Sequence, residues 1–429
     1  MVNMLTEAGI RSSTPEIWGG IECTINRVGD EFYDQLQRAG HYEREDDIAH
    51  FAALGISKIR YPLLWEKHEP CKEQPIDWRC SAKRLDKIRV AGMAPIVTLL
   101  HHGSGPPFTQ LDDPEFPDLM ADYAEKVAKQ FPWIEYYTPV NEPLTTARFS
   151  GLYGHWYPHQ KNERLFFRML LNEVKAIVLC MERIRRVNPS AKLVQTEDLS
   201  LVHSEPLLHY QAEFENERRW LTYDLLTGKF SRNHYFWRYL LDLGLREAEL
   251  VFFEEKHCVP DIAGFNYYVT SERFLDSDVD AYPMFLKGGN GTHCYVDTEA
   301  VRKNRARGLA YLLREAWDRY ALPMAVTECH LNCTPEEQLR WLMEMWQSSM
   351  RLHQDGVDIR AFTIWALTGS YDWNSLLTRR EDHYESGVFE IVDGKLRKTI
   401  LVSAVQQLCE KGDFQHPLLE TAGWWHGGS

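Results

Sequence analysis

Two glutamates follow short runs of apolar, β-branched and aromatic residues, which is the pattern of a buried β-strand. Glu142 comes two residues after the run 134–140, and Glu328 comes directly after the run 324–327. Two carboxyl groups in one site can share acid catalysis, because one donates a proton while the other attacks the substrate or activates water. Combined with aromatic platforms such as Trp365, such a pair is typical of glycoside hydrolysis. We therefore interpret Glu142 and Glu328 as candidate catalytic residues.

Polar and aromatic residues also end other candidate strands. These residues are Glu22, Arg60, His101, His102, Asn141, Tyr268 and Trp365. In an α/β barrel the active site forms at the carboxyl ends of the strands, where these side chains would meet. A cation such as Arg60 lowers the pKa of a neighbouring carboxylate, which suits a nucleophile. The negative charge of that nucleophile raises the pKa of the other carboxyl group, which suits an acid.

Eight candidate strands with amphipathic stretches between them must position these residues. The first four strands begin at residues 17, 56, 95 and 134, and this regular step accommodates a strand, a helix and two loops. Four more strands are predicted at residues 192–196, 261–267, 324–327 and 361–365. Helical periodicity occurs at residues 44–54, 81–91, 117–130, 165–186, 211–227, 301–320 and 335–353. This alternation predicts the α/β class and a single (β/α)8 TIM barrel.

An open doubly wound sheet is the alternative arrangement of alternating strands and helices. That fold usually has a glycine-rich phosphate turn after its first strand. Here residues 22–27 follow the first strand without a glycine, and the glycine-rich residues 103–107 contain two prolines. The barrel is therefore favoured. We expect it to span residues 1–429 as one domain, with residues 412–429 as a C-terminal tail.

Composition excludes several classes of protein. The chain has 429 residues, 44% of them hydrophobic, and a net charge of −14. This composition is globular, and an acidic chain without a basic run is not expected to bind nucleic acid. No apolar run approaches the ~18 residues of a membrane helix, and residues 1–16 lack the apolar segment of a secretory signal. We therefore expect a cytoplasmic protein that binds no membrane.

Cysteine usage predicts neither a disulfide framework nor a metal site. The nine cysteines are an odd number in a large chain, so reduced thiols are the simplest interpretation. Cys329, His330 and Cys333 are close in sequence but have no second ligand pair at a suitable spacing. We expect no metal.

The motifs around these residues resemble those of glycoside hydrolase family 1, the β-glucosidase family. Six motifs occur in the family's order from residue 18 to about residue 390, at the ends of predicted strands. They are Ile59-Arg60-Tyr61, Val97-Thr98-Leu99-Leu100-His101, Thr138-Pro139-Val140-Asn141-Glu142-Pro143, Ile262-Ala263-Gly264-Phe265-Asn266-Tyr267-Tyr268, Val326-Thr327-Glu328, and Ile364-Trp365-Ala366-Leu367 followed by Asp372-Trp373. The resemblance implies a small-molecule or oligosaccharide β-glycoside as substrate and no cofactor.

The resemblance also implies a role for each matching residue. Glu142 would be the general acid/base and Glu328 the nucleophile, oriented and kept ionised by Arg60 and Tyr268. The expected substrate-binding residues are Asn26, His101, Asn141, Trp365, Asp372 and Trp373. Among these, Asn141 would bind the 2-hydroxyl group and Trp365 would form the floor under the sugar ring.

Several positions depart from the family pattern. Asn26 and Asp372 stand where the family usually has glutamine and glutamate, each one methylene longer, and both positions normally bind the same end of the sugar. His102 replaces an aromatic residue. The stretch after Asp372 is longer than usual and carries Arg379 and Arg380, which are either an anion-binding pair covering the site or a solvated loop. Glucose specificity therefore does not follow from the resemblance.

The sequence predicts a retaining β-glycosidase that forms a covalent glycosyl-enzyme intermediate. Three alternatives remain open. The first is a non-catalytic carbohydrate-binding protein on a decayed glycosidase barrel. The second is a transglycosidase that uses the same residues. The third is a metal-dependent barrel hydrolase, although the His-x-His pair typical of that class is missing after the first predicted strand.

Overall fold

The computed structural model describes residues 14–427. A closed barrel of eight parallel strands forms its centre. The barrel strands are β1 (Glu16–Gly20), β2 (Lys58–Pro62), β3 (Ala94–His101), β4 (Tyr136–Asn141), β5 (Lys192–Asp198), β6 (Ile262–Tyr268), β7 (Met324–His330) and β8 (Ile359–Ile364). Each of them overlaps a strand predicted from the sequence. The predicted (β/α)8 barrel is confirmed.

The barrel closes through parallel pairing of β8 with β1, in which Trp18 lies opposite Thr363. Besides an interruption of the register between Met324 and Ala325, where β7 pairs with β8, two further interruptions occur in the ring. One lies between Tyr137 and Asn141, where β4 pairs with β5, and the other between Val326 and Glu328, where β7 pairs with β6. Irregular pairing bends a strand and changes the direction of the side chains that follow. Both interruptions come at or immediately before a predicted catalytic glutamate.

Helices connect the strands and surround the barrel. Within residues 14–427 the α-helices are α1 (Gln35–Arg38), α2 (Asp47–Ala52), α3 (Trp65–His68), α4 (Arg79–Val90), α5 (Phe116–Gln130), α6 (Pro143–Ala147), α7 (Glu163–Val187), α8 (His209–Arg218), α9 (Leu221–Leu226), α10 (Tyr235–Asp242), α11 (Glu247–Glu255), α12 (Leu309–Tyr320), α13 (Pro335–Gln354) and α14 (Ile400–Lys411).

Short strands outside the barrel form small sheets. One has four strands in the order Lys287–Gly289, Cys294–Glu299, Glu272–Asp276 and Leu201–Ser204. The two-stranded sheets pair Ile25–Val28 with Glu31–Asp34, Ser370–Tyr371 with Tyr384–Glu385, and Phe389–Val392 with Lys395–Lys398.

Helix α7 illustrates how the sequence produces the outer layer. The side chain of Asn162 accepts a hydrogen bond of 3.1 Å from the backbone N–H of Leu165, which caps the first turn. Phe166, Leu170 and Val174 then follow at four-residue spacing and are buried. Apolar residues at this spacing form one stripe along the helix, and this stripe packs against the barrel.

A compact layer of side chains fills the inside of the barrel. It contains Trp18 from β1, Ile96 from β3, Val194 from β5 and Ala325 from β7, with Ala361 from β8 beside them. A barrel packs its interior in layers of four side chains from alternate strands, and the first four residues form such a layer. This layer closes the barrel, so a ligand must bind at the mouth.

The second half of the chain differs in part from the sequence prediction. Residues 211–227 form two helices, α8 and α9, instead of one. Helix α12 begins only at Leu309, because the preceding Gly308 has a left-handed φ of 83° that a helix cannot include. Helices α10, α11 and α14 and the four-stranded sheet have no counterpart in the prediction. Most strands of this sheet are half-exposed, so no alternation of apolar residues marks them.

Residues 412–427, within the predicted tail, pack against α13. Trp425 is only 6% exposed, and its ring meets that of Trp341 edge-on with the centroids 5.1 Å apart. Its Nε1 donates a 3.0 Å hydrogen bond to Glu344. Residues 428–429, and residues 1–13 at the N-terminus where a signal was sought, lie outside the described residues. None of the helices in residues 14–427 has the length and apolar character needed to cross a membrane.

Replacing Trp425 with alanine removes this aromatic packing and leaves a cavity beside α13. We expect Trp425→Ala to lower the free energy of unfolding by about 3–5 kcal/mol, measured by urea denaturation. Trp424→Ala is the matched control, because the Trp424 side chain is 38% exposed. A loss of less than ~1 kcal/mol is expected for it. Equal losses in the two variants would show that the segment does not anchor through Trp425.

Candidate active site

The carboxyl ends of β2, β4 and β7 bring three predicted residues together. Arg60 lies in β2, and its Nη1 donates a 2.7 Å hydrogen bond to Oε1 of Glu328 at the end of β7. Its Nη2 donates a 2.7 Å hydrogen bond to Oδ1 of Asn141, the last residue of β4. The side chains of Arg60 and Glu328 are 1% and 3% exposed, so their ion pair is buried.

Both carboxylate oxygens of Glu328 accept hydrogen bonds. Oε2 accepts a hydrogen bond from the Tyr268 hydroxyl, in addition to the contact of Oε1 with Arg60. Burial raises the pKa of Glu328 above its usual value, but the Arg60 charge and the hydrogen bonds from Tyr268, Arg60 and Asn266 oppose this rise. These partners therefore stabilise the ionised form of Glu328 against the effect of burial and fix its orientation.

Glu142 lies at the junction of β4 and α6 in a left-handed conformation with φ 47° and ψ 62°. A non-glycine residue rarely adopts this region, and such residues are concentrated at functional sites. Its Oε1 accepts a 2.6 Å hydrogen bond from Asn266, and its Oε2 lies 3.6 Å from Nε2 of His102. Burial, followed by the negative charge of Glu328, raises the pKa of Glu142 well above its usual value.

Asn266 hydrogen-bonds Glu142, lies opposite Glu328 in the pairing of β6 with β7, and was given no role by the sequence analysis. Its Nδ2 donates to Glu142, and a hydrogen bond from its side chain also lowers the pKa of Glu328. Thr327 fixes the amide by donating a 2.7 Å hydrogen bond to its Oδ1. The signal was available, because Asn266 is a polar residue at the end of a predicted strand. The adjacent Tyr267 points elsewhere, with its hydroxyl on Glu272.

The acidic end of β5 is a second feature that sequence reasoning missed. Glu197 is buried, and its Oε2 accepts hydrogen bonds from the backbone N–H of Leu144 at 3.0 Å and the hydroxyl of Thr222 at 2.7 Å. Leu144 belongs to α6, so Glu197 fixes the helix that follows Glu142. The charges of Glu197 and Asp198 also raise the pKa of Glu142. The predicted strand ended at residue 196, one residue before this pair.

Asn141 and two histidines form the floor of the pocket with Trp365. The amide oxygen of Asn141 accepts hydrogen bonds from Arg60 and Thr196, so its Nδ2 faces Nε2 of His101 and of His102, each at 3.4 Å. The His101 ring is parallel to the Trp365 ring, with 5.8 Å between the centroids. The four predicted residues therefore lie together, with donors and an aromatic face toward one space.

Both histidines are held in the neutral form. Burial, aided by the neighbouring His102 and Arg60, lowers the pKa of His101 well below its usual value. Burial and the Arg60 charge lower the pKa of His102 to about 3. Nδ1 of His101 is buried without a hydrogen-bond partner among the described residues, which suits it to a ligand hydroxyl.

Glu22 lies beside this group, as the sequence had suggested. Its Oε1 accepts hydrogen bonds from the backbone N–H and the hydroxyl of Thr24, at 2.9 and 2.6 Å, and lies 3.9 Å from Nε2 of His101. Burial and the negative charge of Glu328 raise the pKa of Glu22 to about 7. The carboxyl group is thus close to the pocket but already bonded within its own loop.

Asp372 begins a loop of residues 372–383, which we name the rim loop, after β8. Its Oδ2 accepts hydrogen bonds from Nη1 of Arg38 at 2.6 Å and from the N–H of Glu381 at 3.1 Å. Its Oδ1 accepts a 2.8 Å hydrogen bond from the N–H of His383. Burial alone would raise the pKa of Asp372, but these hydrogen bonds outweigh burial and hold the pKa below its usual value. Both oxygens are thus engaged within the protein.

Asn26 and Trp373 reach the pocket from opposite ends of the chain. Nδ2 of Asn26 donates a 3.1 Å hydrogen bond to the carbonyl of Leu377, while its Oδ1 is buried and unpartnered in the described structure. Trp373 packs edge-on against His102 with 5.6 Å between the centroids, and its Nε1 is likewise unpartnered.

Arg379 and Arg380 do not form the anion-binding pair considered from the sequence. Arg379 is 70% exposed and pairs with Glu381 at 2.6 Å, and the exposed Arg380 has its guanidinium 4.7 Å from the Tyr33 ring centroid. Their exposure is that of a solvated loop, which was the second interpretation of these two residues from the sequence. The reason is local, because the neighbouring Glu381 already neutralises Arg379.

Comparison with known proteins identifies one family. The family profile described as glycosyl hydrolase family 1 matches residues 20–381, which is most of the chain. Among curated proteins, β-glucosidase A of Acetivibrio thermocellus is 22% identical over 396 residues, covering 83% of this chain and 84% of its own. The aryl-phospho-β-D-glucosidase BglA of Bacillus subtilis is 21% identical over 383 residues, covering 79% and 78%.

Solved structures with the same fold include β-glucosidase from Thermotoga maritima. Its complex with deoxynojirimycin superposes with a TM-score of 0.75 at 15% identity, covering 95% of this chain and 99% of the other. A further structure of the Thermotoga maritima family 1 β-glucosidase gives a TM-score of 0.73 at 16% identity, covering 94% and 99%. At this identity the similarity demonstrates the barrel fold.

Disruption of the buried Arg60–Glu328 pair is expected to lower the free energy of unfolding. Arg60→Met leaves the Glu328 charge buried without a cation, which is expected to lower the free energy of unfolding by about 3–5 kcal/mol at pH 8. The cost must shrink as pH falls, because the stranded carboxyl group has a raised folded-state pKa. The electrostatic part of the cost is absent once the pH is below the unfolded glutamate pKa of about 4.3, whereas the lost hydrogen bonds to Thr327 and Asn141 remain. Urea denaturation at pH 8 and at acidic pH measures both values.

The double variant Arg60→Met/Glu328→Gln should recover part of this stability at pH 8, because no charge remains to be buried. Arg397→Met is the control, since Arg397 is 65% exposed and pairs with Glu390. It is expected to cost less than about 1 kcal/mol at either pH. A loss in Arg60→Met that is independent of pH and of Glu328 would show that the pair carries no electrostatic coupling.

Proposed function

The chain belongs to glycosyl hydrolase family 1, and we propose that it hydrolyses β-glycosides with retention of configuration at the anomeric carbon. In this proposal Glu328 is the nucleophile and Glu142 the general acid/base. The observation that carries the proposal is that two buried carboxyl groups with different hydrogen-bond partners lie at the ends of β4 and β7. Glu328 forms an ion pair with Arg60, whereas Glu142 does not.

This asymmetry supports the division of roles. Arg60 and Tyr268 stabilise charge on Glu328, which a nucleophile needs. In the described part of the chain the basic group within 4 Å of Glu142 is the His102 imidazole, and its pKa of about 3 leaves it neutral. Burial and the adjacent negative charge therefore keep Glu142 protonated, as a general acid requires.

The first step forms a covalent intermediate. A carboxylate oxygen of Glu328 attacks the anomeric carbon while the bond from that carbon to the leaving-group oxygen breaks. The proton of Glu142 passes to that oxygen, so the aglycone departs as a neutral alcohol. The amide Nδ2 of Asn141, directed by Arg60 and Thr196 on its oxygen, is suited to bind the 2-hydroxyl group, a contact that strengthens in the transition state.

The second step releases the sugar. Glu142, now ionised, takes a proton from water, whose oxygen attacks the anomeric carbon. The bond between that carbon and Glu328 breaks, and the product keeps the β-configuration after two inversions. If an alcohol replaces water in this step, the same residues perform transglycosylation. Product analysis with an added alcohol distinguishes the two reactions.

The names of the curated relatives indicate the substrate class. One is a β-glucosidase and the other acts on aryl-phospho-β-D-glucosides. We infer that this chain takes a β-linked glycone with an aryl, alkyl or sugar aglycone in a pocket floored by Trp365 and edged by His101. The carbohydrate-binding alternative shares the pocket but needs no protonated Glu142, so turnover decides between them.

The two carboxyl variants test the roles directly. Glu328→Gln should lower kcat/KM by at least about 10⁴-fold for every β-glycoside, because no covalent intermediate can form. Glu142→Gln should depend on the leaving group. A loss of about 10²–10⁴-fold is expected for methyl β-glycosides, and a much smaller loss in the first step for dinitrophenyl β-glycosides, whose leaving group needs no proton. Stopped-flow detection of the released phenol measures that step.

Glu390→Gln is the control for this chemistry, since Glu390 pairs with Arg397 on the surface. It should retain wild-type kinetics. Proton NMR of early products should show the β-anomer before mutarotation. Early α-anomer would contradict retention, and turnover that survives Glu328→Gln would contradict the nucleophile. Sugar binding without turnover by the wild-type protein would favour the carbohydrate-binding alternative.

The hydroxyl of Tyr268 gives a pH prediction. Tyr268→Phe removes a hydrogen bond to the charged Glu328, which raises the pKa of that carboxyl group. The acid limb of the kcat/KM profile should therefore move to higher pH, by about 1–2 units for a hydrogen bond of about 1.5–3 kcal/mol. Tyr267→Phe is the matched control, because the Tyr267 hydroxyl contacts Glu272 instead. Its acid limb should not move, and equal movement in both variants would contradict the assignment.

A further inference from the structure

A second cleft lies apart from the pocket at the barrel mouth. It has a volume of about 800 Å³ and lies between the strand Leu201–Ser204, helix α8 and the segment that precedes α12. Glu142, Glu328 and Trp365 are not among the residues that line it. Cavities that hold small ligands have volumes of about 300–1,000 Å³. The cleft, which we name the side cleft, is therefore large enough to be a binding site of its own.

Glu272 fixes the two sides of the side cleft relative to each other. Its carboxylate is 1% exposed. Oε2 accepts hydrogen bonds from Nε2 of His203 in the strand Leu201–Ser204, at 2.8 Å, and from the backbone N–H of Arg307, at 2.7 Å. Oε1 accepts a 2.7 Å hydrogen bond from the backbone N–H of Gly308, directly before α12. The cleft is thus preformed, which lowers the ordering cost of binding a ligand.

Arg305 and Arg307 bring positive charge to one wall of the side cleft. Within residues 14–427, neither guanidinium group lies within 4 Å of a carboxylate oxygen, whereas the neighbouring Arg302 pairs with Glu299 at 2.8 Å. The chain carries a net charge of −14, so two unpaired arginines on one wall are exceptional in it. A guanidinium group binds a carboxylate or a phosphate group through parallel hydrogen bonds. This wall therefore suits an anionic group.

The ring of Tyr311 gives the same wall an aromatic face. Tyr311 is 45% exposed and lines the cleft. The guanidinium carbon of Arg307 lies 5.3 Å from the centroid of this ring, which places the Arg307 side chain beside Tyr311. An anionic group bound to Arg307 therefore brings the rest of its molecule next to the ring.

Hydrogen-bond acceptors line the other wall. Glu205 is half-buried, and its Oε2 accepts a hydrogen bond from the hydroxyl of Ser277, while its Oε1 has no hydrogen-bond partner in the described part of the chain. Glu213 of α8 is 66% exposed and pairs with His209 at 3.1 Å. Carboxylate oxygens accept hydrogen bonds from hydroxyl groups and repel anions. This wall therefore suits the hydroxyl groups of a ligand rather than its charge.

A ligand that matches both walls has an anionic group at one end and hydroxyl groups at the other. An acidic saccharide has both, together with a ring that can lie against Tyr311. A neutral saccharide would leave Arg305 and Arg307 without a partner. An inorganic anion would make no contact with Glu205 or Glu213.

We propose that the side cleft is a second binding site, which takes an acidic saccharide with its anionic group on Arg305 and Arg307 and its ring against Tyr311. Uronates and sugar phosphates share this chemistry, and the experiment separates them. The proposal is independent of the proposed glycosidase reaction, because the two sites share none of the residues on which either is argued.

Isothermal titration calorimetry tests the site with four probes. Glucuronate and glucose 6-phosphate are the acidic saccharides, glucose lacks the charge, and inorganic phosphate lacks the ring. Salt at about 0.15 M screens exposed charges beyond ~8 Å and so suppresses unspecific binding. At least one acidic saccharide should bind with a Kd below about 1 mM, and glucose and phosphate should bind at least about tenfold more weakly.

Variants assign the binding to the side cleft. Arg305→Met/Arg307→Met removes the charge-assisted hydrogen bonds and should weaken binding of the acidic saccharide by about 10- to 100-fold. Tyr311→Ala should weaken it as well, but should leave any binding of inorganic phosphate unchanged. Arg302→Met is the matched control, because Arg302 belongs to the same segment but already pairs with Glu299. Its affinity should equal that of the wild type, and melting temperatures verify that all variants are folded.

Each result leads to a distinct conclusion. Tighter binding of glucuronate supports the site with a carboxylate as its anion, and tighter binding of glucose 6-phosphate supports it with a phosphate. Absence of binding by both at about 10 mM overturns the site. Equal affinity for inorganic phosphate overturns the saccharide class, and equal affinity for glucose overturns the role of the arginines. Binding that is unchanged in Arg305→Met/Arg307→Met and lost in Glu328→Gln belongs to the barrel mouth and overturns the side cleft. The glycosidase function is decided separately, by turnover.

Discussion

The buried pair of Arg60 and Glu328 is the interaction around which the barrel mouth is organised. Both side chains are almost completely removed from solvent, and a buried charge is tolerated only when it is paired and hydrogen-bonded. Arg60 bonds Glu328, the Thr327 carbonyl and Asn141 through its two terminal nitrogens, while its Nε has no hydrogen-bond partner among residues 14–427. The guanidinium therefore ties β2 to β4 and β7 at the level where the strands end. Loss of Glu328 would leave the Arg60 charge buried without an ionic partner, and loss of either neutral partner would leave a buried N–H unpaired, so the geometry of the mouth is tightly determined.

The same constraint gives Glu328 and Glu142, which have identical side chains, different surroundings. Glu328 takes the cation and the tyrosine hydroxyl, whereas Glu142 faces a neutral histidine, Asn266 and the acidic end of β5. In a buried site of low dielectric, these differences shift the proton equilibrium far more than they would in water. The two carboxyl groups are thus distinguished by their surroundings rather than by residue type. Glu197 contributes twice, since it both fixes α6 and adds negative charge near Glu142.

The fold and the centre of the site could be predicted because both follow from local patterns. Apolar runs set the strands, and polar residues at their ends mark the mouth, which was enough to find Glu142, Glu328 and Arg60. Asn266 was not predicted as a site residue, because a role was assigned only to Tyr268, although both residues lie at the end of β6. The rim loop could not be predicted, because the environment of Asp372 depends on Arg38, which is 334 residues earlier in the chain. A motif shows which residue stands at a position, but not which distant side chain has already bound it.

The contacts that complete the mouth join the two ends of the chain. Asn26 to Leu377 spans 351 residues, and Gln35 to Tyr371 spans 336. Contacts of such high sequence separation form late, because a long loop must close before they contribute. A ribosome adding about 5–20 residues per second needs roughly 20–80 s to reach residue 385. During that time the first strands can assemble, but the pocket has no rim and Glu328 is absent for most of the interval. Completion of the mouth is thus linked to the end of synthesis, and a chain that stops between β8 and the rim loop would have all eight barrel strands without the rim of the pocket.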